Sequence, residues 1–167
     1  MDFDKAFEIL IGHEGGLSLD PKDPGNWANE VLKGTKYGIS AAAYPNIDIA
    51  SLTLDEAKAI YKKDYWDSMK LDRFPIEITY DLFDLAVNSG TKNAVKLLQR
   101  ALKVKEDGVV GPTTLLGVNS LHPYKIKCFL VGTRLNFMTD LKIWDSQGKG
   151  WARRVSKIAL MDINNRN

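Results

Sequence analysis

Three acidic residues near the start of the chain have the types and spacing that acid–base chemistry on a sugar requires. Glu14 stands directly before a pair of glycines, and Asp20 and Asp23 follow in a polar loop with two Asp-Pro steps. Cleavage of a glycosidic bond uses two carboxyl groups in contrasting environments: one protonates the leaving oxygen, and the other activates water or stabilises the sugar cation. Further along, Thr35 has a hydroxyl suited to holding the attacking water against an aspartate.

The position of Glu14 predicts a proton donor. A first helix is predicted by apolar residues that recur at helical spacing, namely Phe3, Phe7, Leu10 and Ile11. The glycine pair 15–16 predicts that this helix ends beside Glu14. Free carbonyl groups at a helix C-terminus carry partial negative charge, which raises the pKa of an acidic side chain next to them. A solvated helix end and ordinary Asp-Pro turns are the alternative interpretations of these residues.

The composition is that of an ordinary globular chain. It has 167 residues, 44% of them hydrophobic and 26% charged, and a formal net charge of +2. This near-neutral balance argues against a dedicated nucleic-acid binder. The single cysteine, Cys128, excludes an intramolecular disulfide, and neither a transmembrane run nor a secretory signal is visible. No metal-ligand motif and no phosphate-binding glycine loop occurs, so no metal or cofactor is expected.

Helical periodicity runs through most of the remaining chain. Thr53 and Glu56 form the pattern of a capping box, which predicts a helix from there to about Met69. The apolar run 77–88 predicts a central buried helix. Further helices are predicted through 94–102, from Pro123, and from Trp151 after a glycine break at 148–150, with short strands near 17–19 and 36–40. The expected fold class is therefore mainly α (α+β), with a small N-terminal β or loop region.

Several short motifs, in the same order along the chain, resemble glycoside hydrolase family 108, the phage and prophage N-acetylmuramidases related to lysozymes. The first is Glu-Gly-Gly, followed by an Asp-Pro-x-Asp-Pro-Gly loop and Thr-x-x-Gly-Ile, and the last is Gly-Trp-x-x-Arg. The motifs lie at 13–25, 35–40, 57–66, 82–90, 107–114 and 150–154. The family usually has tyrosine where this chain has Leu17. The resemblance implies a lysozyme-like fold with two lobes around a cleft.

The resemblance also implies roles for particular residues. Glu14 would be the catalytic acid, and Asp23, with Asp20 in reserve, would act with Thr35 as the second catalytic group. By resemblance and residue type, sugar-binding residues are expected at Tyr37, Asn88, Trp66, Tyr44 and Trp27. For Trp66, a core position is the alternative interpretation, because aromatic side chains dominate core burial. The segment 107–114 resembles a short peptidoglycan-binding segment, or is only a tight turn between helices.

The sequence thus predicts one lysozyme-like domain over 1–167, with a catalytic part at 1–90 and a helical part at 91–167 that carries the peptidoglycan-binding-like segment. The expected activity is hydrolysis of the β-1,4 bond between N-acetylmuramic acid and N-acetylglucosamine in peptidoglycan. A lytic transglycosylase that forms 1,6-anhydro products and a non-catalytic wall-binding phage protein are the alternatives. Inversion and retention both stay open, because they depend on the separation of the two carboxyl groups.

The expected partners are peptidoglycan glycan strands, with no nucleic acid and no stable membrane insertion, and the chain is expected to be a monomer. With no signal peptide visible, we expect a protein made in the cytoplasm that reaches the cell wall through a holin or another export route. That is the behaviour of an antimicrobial endolysin, although a bacterial wall-remodelling enzyme fits the same residues.

Overall fold

The computed structural model describes residues 1–12 and 16–161. The chain divides into two compact units, an N-terminal unit over Asp2–Asp64 and a C-terminal unit that begins at Tyr65. The N-terminal unit contains helix α1 (Phe3–Ile11), a 3-10 turn (Pro24–Asn26) and helix α2 (Leu54–Tyr61). Between these helices lie two small antiparallel hairpins, formed by β1 (Trp27–Ala28) with β2 (Val31–Leu32) and by β3 (Thr35–Lys36) with β4 (Ile39–Ser40).

The C-terminal unit is helical. A π-helical segment (Lys62–Asp67) leads into it from α2, and a 3-10 turn (Leu71–Arg73) follows. Its helices are α3 (Ile76–Ser89), α4 (Thr91–Leu102), α5 (Pro112–Asn119), α6 (Pro123–Thr139) and α7 (Trp144–Met161). The predicted mainly α fold with a small N-terminal β region is confirmed. Within the described residues, no helix is both long enough and apolar enough to span a membrane.

Helix α1 ends earlier than predicted. Asp2 caps its N-terminus by accepting a hydrogen bond from the Lys5 amide at 2.9 Å. At the other end, Gly12 has a φ of +53° and donates its N–H to the carbonyl four residues back at 3.1 Å. Glycine adopts a positive φ at little cost, so Gly12 ends the helix. The predicted end at the later glycine pair is wrong, and Glu14 comes after the end of α1 along the chain.

Helix α2 begins with the predicted capping box. The Thr53 hydroxyl accepts a hydrogen bond from the Glu56 amide at 3.3 Å, and the Thr53 amide donates to the Glu56 carboxylate at 2.8 Å. The Thr53 backbone amide, then its hydroxyl, lowers the pKa of Glu56, because both hydrogen bonds favour the ionised carboxylate. The α-helix does not continue to Met69 as predicted: it ends at Tyr61 and passes into the π-helical segment.

Helix α3 is the predicted central helix of the C-terminal unit. Every side chain from Ile78 to Ala86 along it is buried, and it packs against α4 and α6. Gly90, with a φ of +83°, separates α3 from α4. A helix that is buried on nearly all sides must also bury its polar residues, which therefore need partners on neighbouring helices.

Helix α7 runs through the glycines at which a break was predicted. It begins at Trp144 and includes both Gly148 and Gly150. A Cβ on Gly148 would lie 2.7 Å from the ring of Trp144, so the missing side chain makes room for this indole. The predicted break at 148–150 is therefore wrong, because Gly148 serves helix packing and not helix termination.

Candidate active site

The two loop aspartates are exposed, and a backbone amide holds each of them. Asp20 accepts a hydrogen bond from the Lys22 amide at 2.9 Å, and Asp23 accepts one from the Gly25 amide at 2.8 Å, in each case through Oδ1. These are the local turns that aspartate forms with the backbone two residues on. They orient both carboxylates while leaving them exposed to solvent.

Asn26 ties this loop to the segment that follows the first hairpin. Its side chain is fully buried, and its Nδ2 donates a hydrogen bond to the Asp20 carbonyl at 2.9 Å. Its backbone carbonyl accepts from the amides of Lys33 and Gly34, both at 2.9 Å. The Asn26 Oδ1 is buried without a hydrogen-bond partner among the described residues. The sequence alone did not single out Asn26, because an asparagine in a polar loop is usually exposed.

Thr35 begins strand β3 and anchors the end of the aspartate loop. Its backbone exchanges two hydrogen bonds with Ser18, at 2.8 and 3.0 Å, and its register partner in β4 is Ser40. Gly34, just before it, has a φ of +90°, and a Cβ there would lie 2.5 Å from the Ser18 carbonyl oxygen. Only glycine permits this close approach of the two backbones. The Ser18–Thr35 bridge therefore closes the loop that carries both aspartates.

Trp27 lies against the same loop. Its indole Nε1 donates a hydrogen bond to the Pro21 carbonyl at 3.0 Å, while 37% of the residue remains exposed. It begins β1, and the turn to β2 places Asn29 and Glu30 at positive φ, 50° and 64°. An aromatic side chain that is fixed through its polar edge and partly exposed is suited to contact a sugar.

Tyr37 occupies a strained position in the turn between β3 and β4. Its φ is +51°, and the following Gly38 has a φ of +74°. The Tyr61 hydroxyl donates a hydrogen bond to the Tyr37 carbonyl at 3.1 Å, and a Cβ on Gly38 would collide with that hydroxyl. A non-glycine residue in the left-handed region costs free energy and persists only where surrounding contacts hold it. The half-buried Tyr37 is therefore fixed in place by the hairpin and α2.

The N-terminal unit holds most of the predicted site. Tyr44, also half-buried, donates its hydroxyl to the Asp64 carboxylate at 3.0 Å. The predicted site residues that this unit contains in its described part are Asp20, Asp23, Trp27, Thr35, Tyr37 and Tyr44. The predicted proton donor Glu14, with His13 and Gly15, lies outside the described residues. The prediction that the C-terminus of α1 raises the pKa of Glu14 assumed a helix that ends beside this residue, whereas α1 ends at Ile11.

The C-terminal unit contains the other two predicted sugar-binding residues. Trp66 is fully buried: its Nε1 donates to the Asp72 carboxylate at 2.8 Å, and its ring packs edge-on against Phe83 with 5.4 Å between ring centres. Trp66 thus occupies a core position, the alternative that its sequence context allowed. Asn88 is exposed near the end of α3, and its Nδ2 donates to the Asp84 carbonyl at 2.6 Å.

A buried charge cluster in this unit was not predicted. Asp84 on α3 is fully buried, and its carboxylate contacts Arg134 of α6 at 2.6 Å and Arg154 of α7 at 2.6 Å. Asp81, one helical turn earlier, pairs with the buried Lys127 at 3.1 Å. The signal was present in the sequence, because Asp84 and Arg154 belong to two of the motifs that carried the family resemblance. Their pairing was not visible there, since 70 residues separate them.

The charge cluster also affects a neighbouring phenol. Burial, and then the negative charge of Asp84, raise the pKa of Tyr80 to about 12, although the two arginines act in the opposite direction. Tyr80 itself is buried on α3. Asp84 and the arginines therefore join α3, α6 and α7, while burial and the charge of Asp84 keep the Tyr80 phenol protonated to a higher pH than usual.

Gln99 organises the segment that resembles a peptidoglycan-binding motif. This buried residue of α4 donates its Nε2 to the Asp107 carboxylate at 2.7 Å and to the Thr114 hydroxyl at 3.0 Å, and its Oε1 accepts from the Gly108 amide at 2.8 Å. Hydrogen bonds from Gln99 and from the Val109 amide lower the pKa of Asp107. The segment is therefore a loop with a fixed conformation between α4 and α5.

The described residues offer no cluster of three or more His, Cys, Asp or Glu side chains arranged to hold a metal ion. The chemistry that the described part of the site supports is that of carboxylates. Exposed aspartates accept protons, position water or stabilise a cation, and the aromatic side chains of Trp27 and Tyr37 provide surfaces for a sugar.

Comparisons with known proteins gave a family match and a structural match. The family model of glycosyl hydrolase 108 matches residues 7–90, a range that includes α1, the aspartate loop, both hairpins, α2 and α3. The solved structure of Brucella abortus SagA is similar over almost the whole chain, with a TM-score of 0.86 and 32% sequence identity. That similarity covers 99% of this chain and 96% of SagA. The comparison with curated proteins gave no match.

Proposed function

The chain belongs to the glycosyl hydrolase 108 family, and on that premise we propose that it is an N-acetylmuramidase. It is a glycoside hydrolase with a mainly α, lysozyme-like fold, and at the level of the family this supports a peptidoglycan hydrolase. The bond proposed to be cleaved is the β-1,4 link between N-acetylmuramic acid and N-acetylglucosamine.

The observation that carries this proposal is the construction of the aspartate loop. The Ser18–Thr35 bridge closes the loop, and Asn26 joins the Asp20 carbonyl to the segment just before Thr35. Two exposed carboxylates are thus presented by a loop whose interior is hydrogen-bonded. A loop that only connects two elements does not require a fully buried side chain to shape it, whereas a catalytic loop must hold its groups within a narrow geometry.

Glu14 is the proposed general acid. It lies within the range that the family model matches, before the Ser18–Thr35 bridge that closes the aspartate loop. Protonation of the glycosidic oxygen by Glu14 would release the leaving sugar as the bond to the anomeric carbon breaks. The transition state then carries positive charge on the sugar ring.

Asp23 is the proposed second carboxylate, with Asp20 in reserve and with Thr35 as a water-positioning residue. One oxygen of each aspartate is already held by a backbone amide, so the carboxylate has a defined direction. An ionised carboxylate in this position stabilises the sugar cation or removes a proton from the attacking water. Trp27 and Tyr37 are the proposed aromatic contacts to the sugars, and Tyr44 and Asn88 are the further proposed contacts.

The organisation and place of action follow from the same proposal. The part at 1–90 would carry the catalytic residues, and the part at 91–167 would contact the wall through the Gln99-bound segment 107–114. Because the substrate lies outside the cytoplasmic membrane, the enzyme would act there, after release through a holin or another export route, and as a monomer on glycan strands.

The decisive experiment is mass spectrometry of fragments released from defined peptidoglycan by the wild-type protein and by Glu14→Gln. The glutamine variant keeps the side-chain shape but has no carboxyl proton to donate, so we expect fragment release to fall by a factor of about a hundred or more. Glu8→Gln is a matched control, because Glu8 is an exposed glutamate of α1 whose partner is Lys5. Its activity should remain close to wild type.

The products also separate the alternatives. An N-acetylmuramidase releases fragments that end in a reducing N-acetylmuramic acid, whereas a lytic transglycosylase releases 1,6-anhydro products. Fragments with reducing N-acetylglucosamine, or near-normal release by Glu14→Gln, would overturn the proposal. Sedimentation of the protein with peptidoglycan without any fragment release would identify a binding protein instead.

A further inference from the structure

A surface groove in the C-terminal unit lies outside the proposed catalytic loop. It has a volume of about 460 Å³, which falls within the usual range of small-ligand sites. Three parts of the chain form its wall: residues 68–70, which follow the π-helical segment, the start of α4, and the Gln99-bound loop. Apolar side chains from each of these parts line it, namely Met69, Val95 and Val110, together with Val109, which is 62% exposed.

Two lysines give the groove its charge. Lys70 and Lys92 both line it and are exposed, and among the described residues neither forms an ion pair. The one carboxylate in the lining is Asp107, and its Oδ1 already accepts hydrogen bonds from Gln99 and from the Val109 amide. Asp107 offsets one of the two positive charges, so the groove lining keeps a net positive charge that a ligand carboxylate would match.

The backbone fixes both lysines at the groove. Lys70 has a φ of +56°, a left-handed conformation that a non-glycine residue adopts at a cost in free energy. Lys92 packs its aliphatic stem against Gly108, where a Cβ would lie 2.9 Å from the lysine Cγ. Gly108 in turn is held by Gln99. The backbone at position 70 and the stem of Lys92 thus place both lysines beside the groove.

We propose that this groove binds a short acidic peptide with small aliphatic side chains, the kind of peptide attached to glycan strands in peptidoglycan. The two lysine ammonium groups would pair with the carboxylates of the peptide. The apolar lining, including Val109, would contact its small aliphatic side chains. The sugars of a peptide-bearing glycan strand fit less well, because the muramic acid carboxyl is then an amide and the sugars offer no charge for the lysines. This inference rests on the proposed function, and it adds that the enzyme recognises the peptide as well as the glycan.

The test is binding of the free tetrapeptide L-Ala-γ-D-Glu-meso-diaminopimelyl-D-Ala to the full chain, measured by calorimetry and by amide chemical shifts. We expect shifts at Lys92, Gly108 and Val109, and weaker binding at higher salt because the contacts are exposed charge pairs. The same peptide with its carboxylates amidated should bind roughly tenfold more weakly, since each of the two lost charge contacts is worth up to about fivefold in affinity.

Variants make the test specific to the two lysines. The double variant Lys70→Asn, Lys92→Gln should lose roughly tenfold or more in affinity for the tetrapeptide. Asparagine suits the left-handed conformation at position 70. Lys142→Gln, which replaces an exposed lysine outside the groove, should bind like wild type. Equal binding by the double variant, equal binding of the amidated peptide, or shifts confined to the N-terminal unit would overturn the proposal.

The outcome is independent of the catalytic proposal, because the free peptide has no glycosidic bond. Peptide binding without any release of wall fragments would support the groove and contradict the muramidase. Fragment release by wild type without peptide binding would do the reverse. If both proposals hold, the double variant should cleave peptide-free glycan strands at the wild-type rate and peptide-bearing strands more slowly.

Discussion

Asp20 and Asp23 of the N-terminal unit and Asp84 of the C-terminal unit carry the same side chain in opposite environments. Asp20 and Asp23 are exposed, and each receives one hydrogen bond from a backbone amide. Asp84 is fully buried and receives hydrogen bonds from Arg134 and Arg154 at 2.6 and 2.7 Å. A carboxylate paired with two guanidinium groups has little capacity left to accept hydrogen bonds from a substrate. An exposed carboxylate with only one oxygen bonded to a backbone amide keeps its other oxygen available.

This difference assigns stability and catalysis, which an enzyme must combine, to different carboxylates. Buried ion pairs give modest net stability, because both charges lose their hydration, but removal of one partner is costly. Exposed carboxylates contribute little to stability and remain available for chemistry. The C-terminal unit therefore uses Asp81 and Asp84 to join helices, and the N-terminal unit presents Asp20 and Asp23 on a loop.

The largest expected effect is on stability, from Asp84→Asn. Loss of this charge leaves Arg134, which is buried, without its counter-ion, and such a loss typically costs about 3–5 kcal/mol of unfolding free energy. Urea unfolding followed by circular dichroism measures the change. The exposed Asp145→Asn serves as a control and should stay within about 0.5 kcal/mol of wild type. A loss below about 1 kcal/mol for Asp84→Asn would show that the cluster is not structural.

The next effect is on activity, from Asp23→Asn. Because Asp23 is the proposed second carboxylate, this substitution should lower the rate of fragment release by roughly a hundredfold or more. Its unfolding free energy should change by only about 1 kcal/mol, because one local hydrogen bond to a backbone amide is involved. Asp20→Asn is the matched comparison in the same loop. If Asp20→Asn loses activity and Asp23→Asn does not, the roles are exchanged; if neither loses activity, the loop is not catalytic.

The helices were predictable from the sequence where the local signal and the tertiary packing agree. Thr53 and Glu56 form the capping box that their spacing indicated, and the apolar run of α3 is buried as its pattern required. The prediction failed where a glycine has a packing role. Gly148 accommodates the Trp144 ring inside α7, and no local pattern distinguishes such a glycine from one that ends a helix.

The proposed site residues could be named from the sequence, but the contacts that hold them in place could not. Motifs pointed to Asp20, Asp23 and Thr35, since chemistry restricts which side chains can serve. Asn26 and Gln99 were missed as organising residues, because their hydrogen bonds join positions whose contact depends on the folded chain. The same reason hid the ion pair of Asp84, whose partners lie on two later helices.

The smallest expected effect sharpens the description of the buried cluster through Tyr80. Its pKa is raised to about 12 in the folded chain by burial and by Asp84, against about 10 in an unfolded chain. The folded state thus holds the phenol proton more tightly, so this contribution to stability is complete below pH 10 and is lost as the pH rises toward 12. Between pH 9 and pH 11, wild type should lose roughly 1 kcal/mol more unfolding free energy than Tyr80→Phe, which has no phenol proton. Urea unfolding at both pH values measures this difference. Equal losses in the two proteins would mean that neither burial nor Asp84 raises the pKa of Tyr80 in the folded chain.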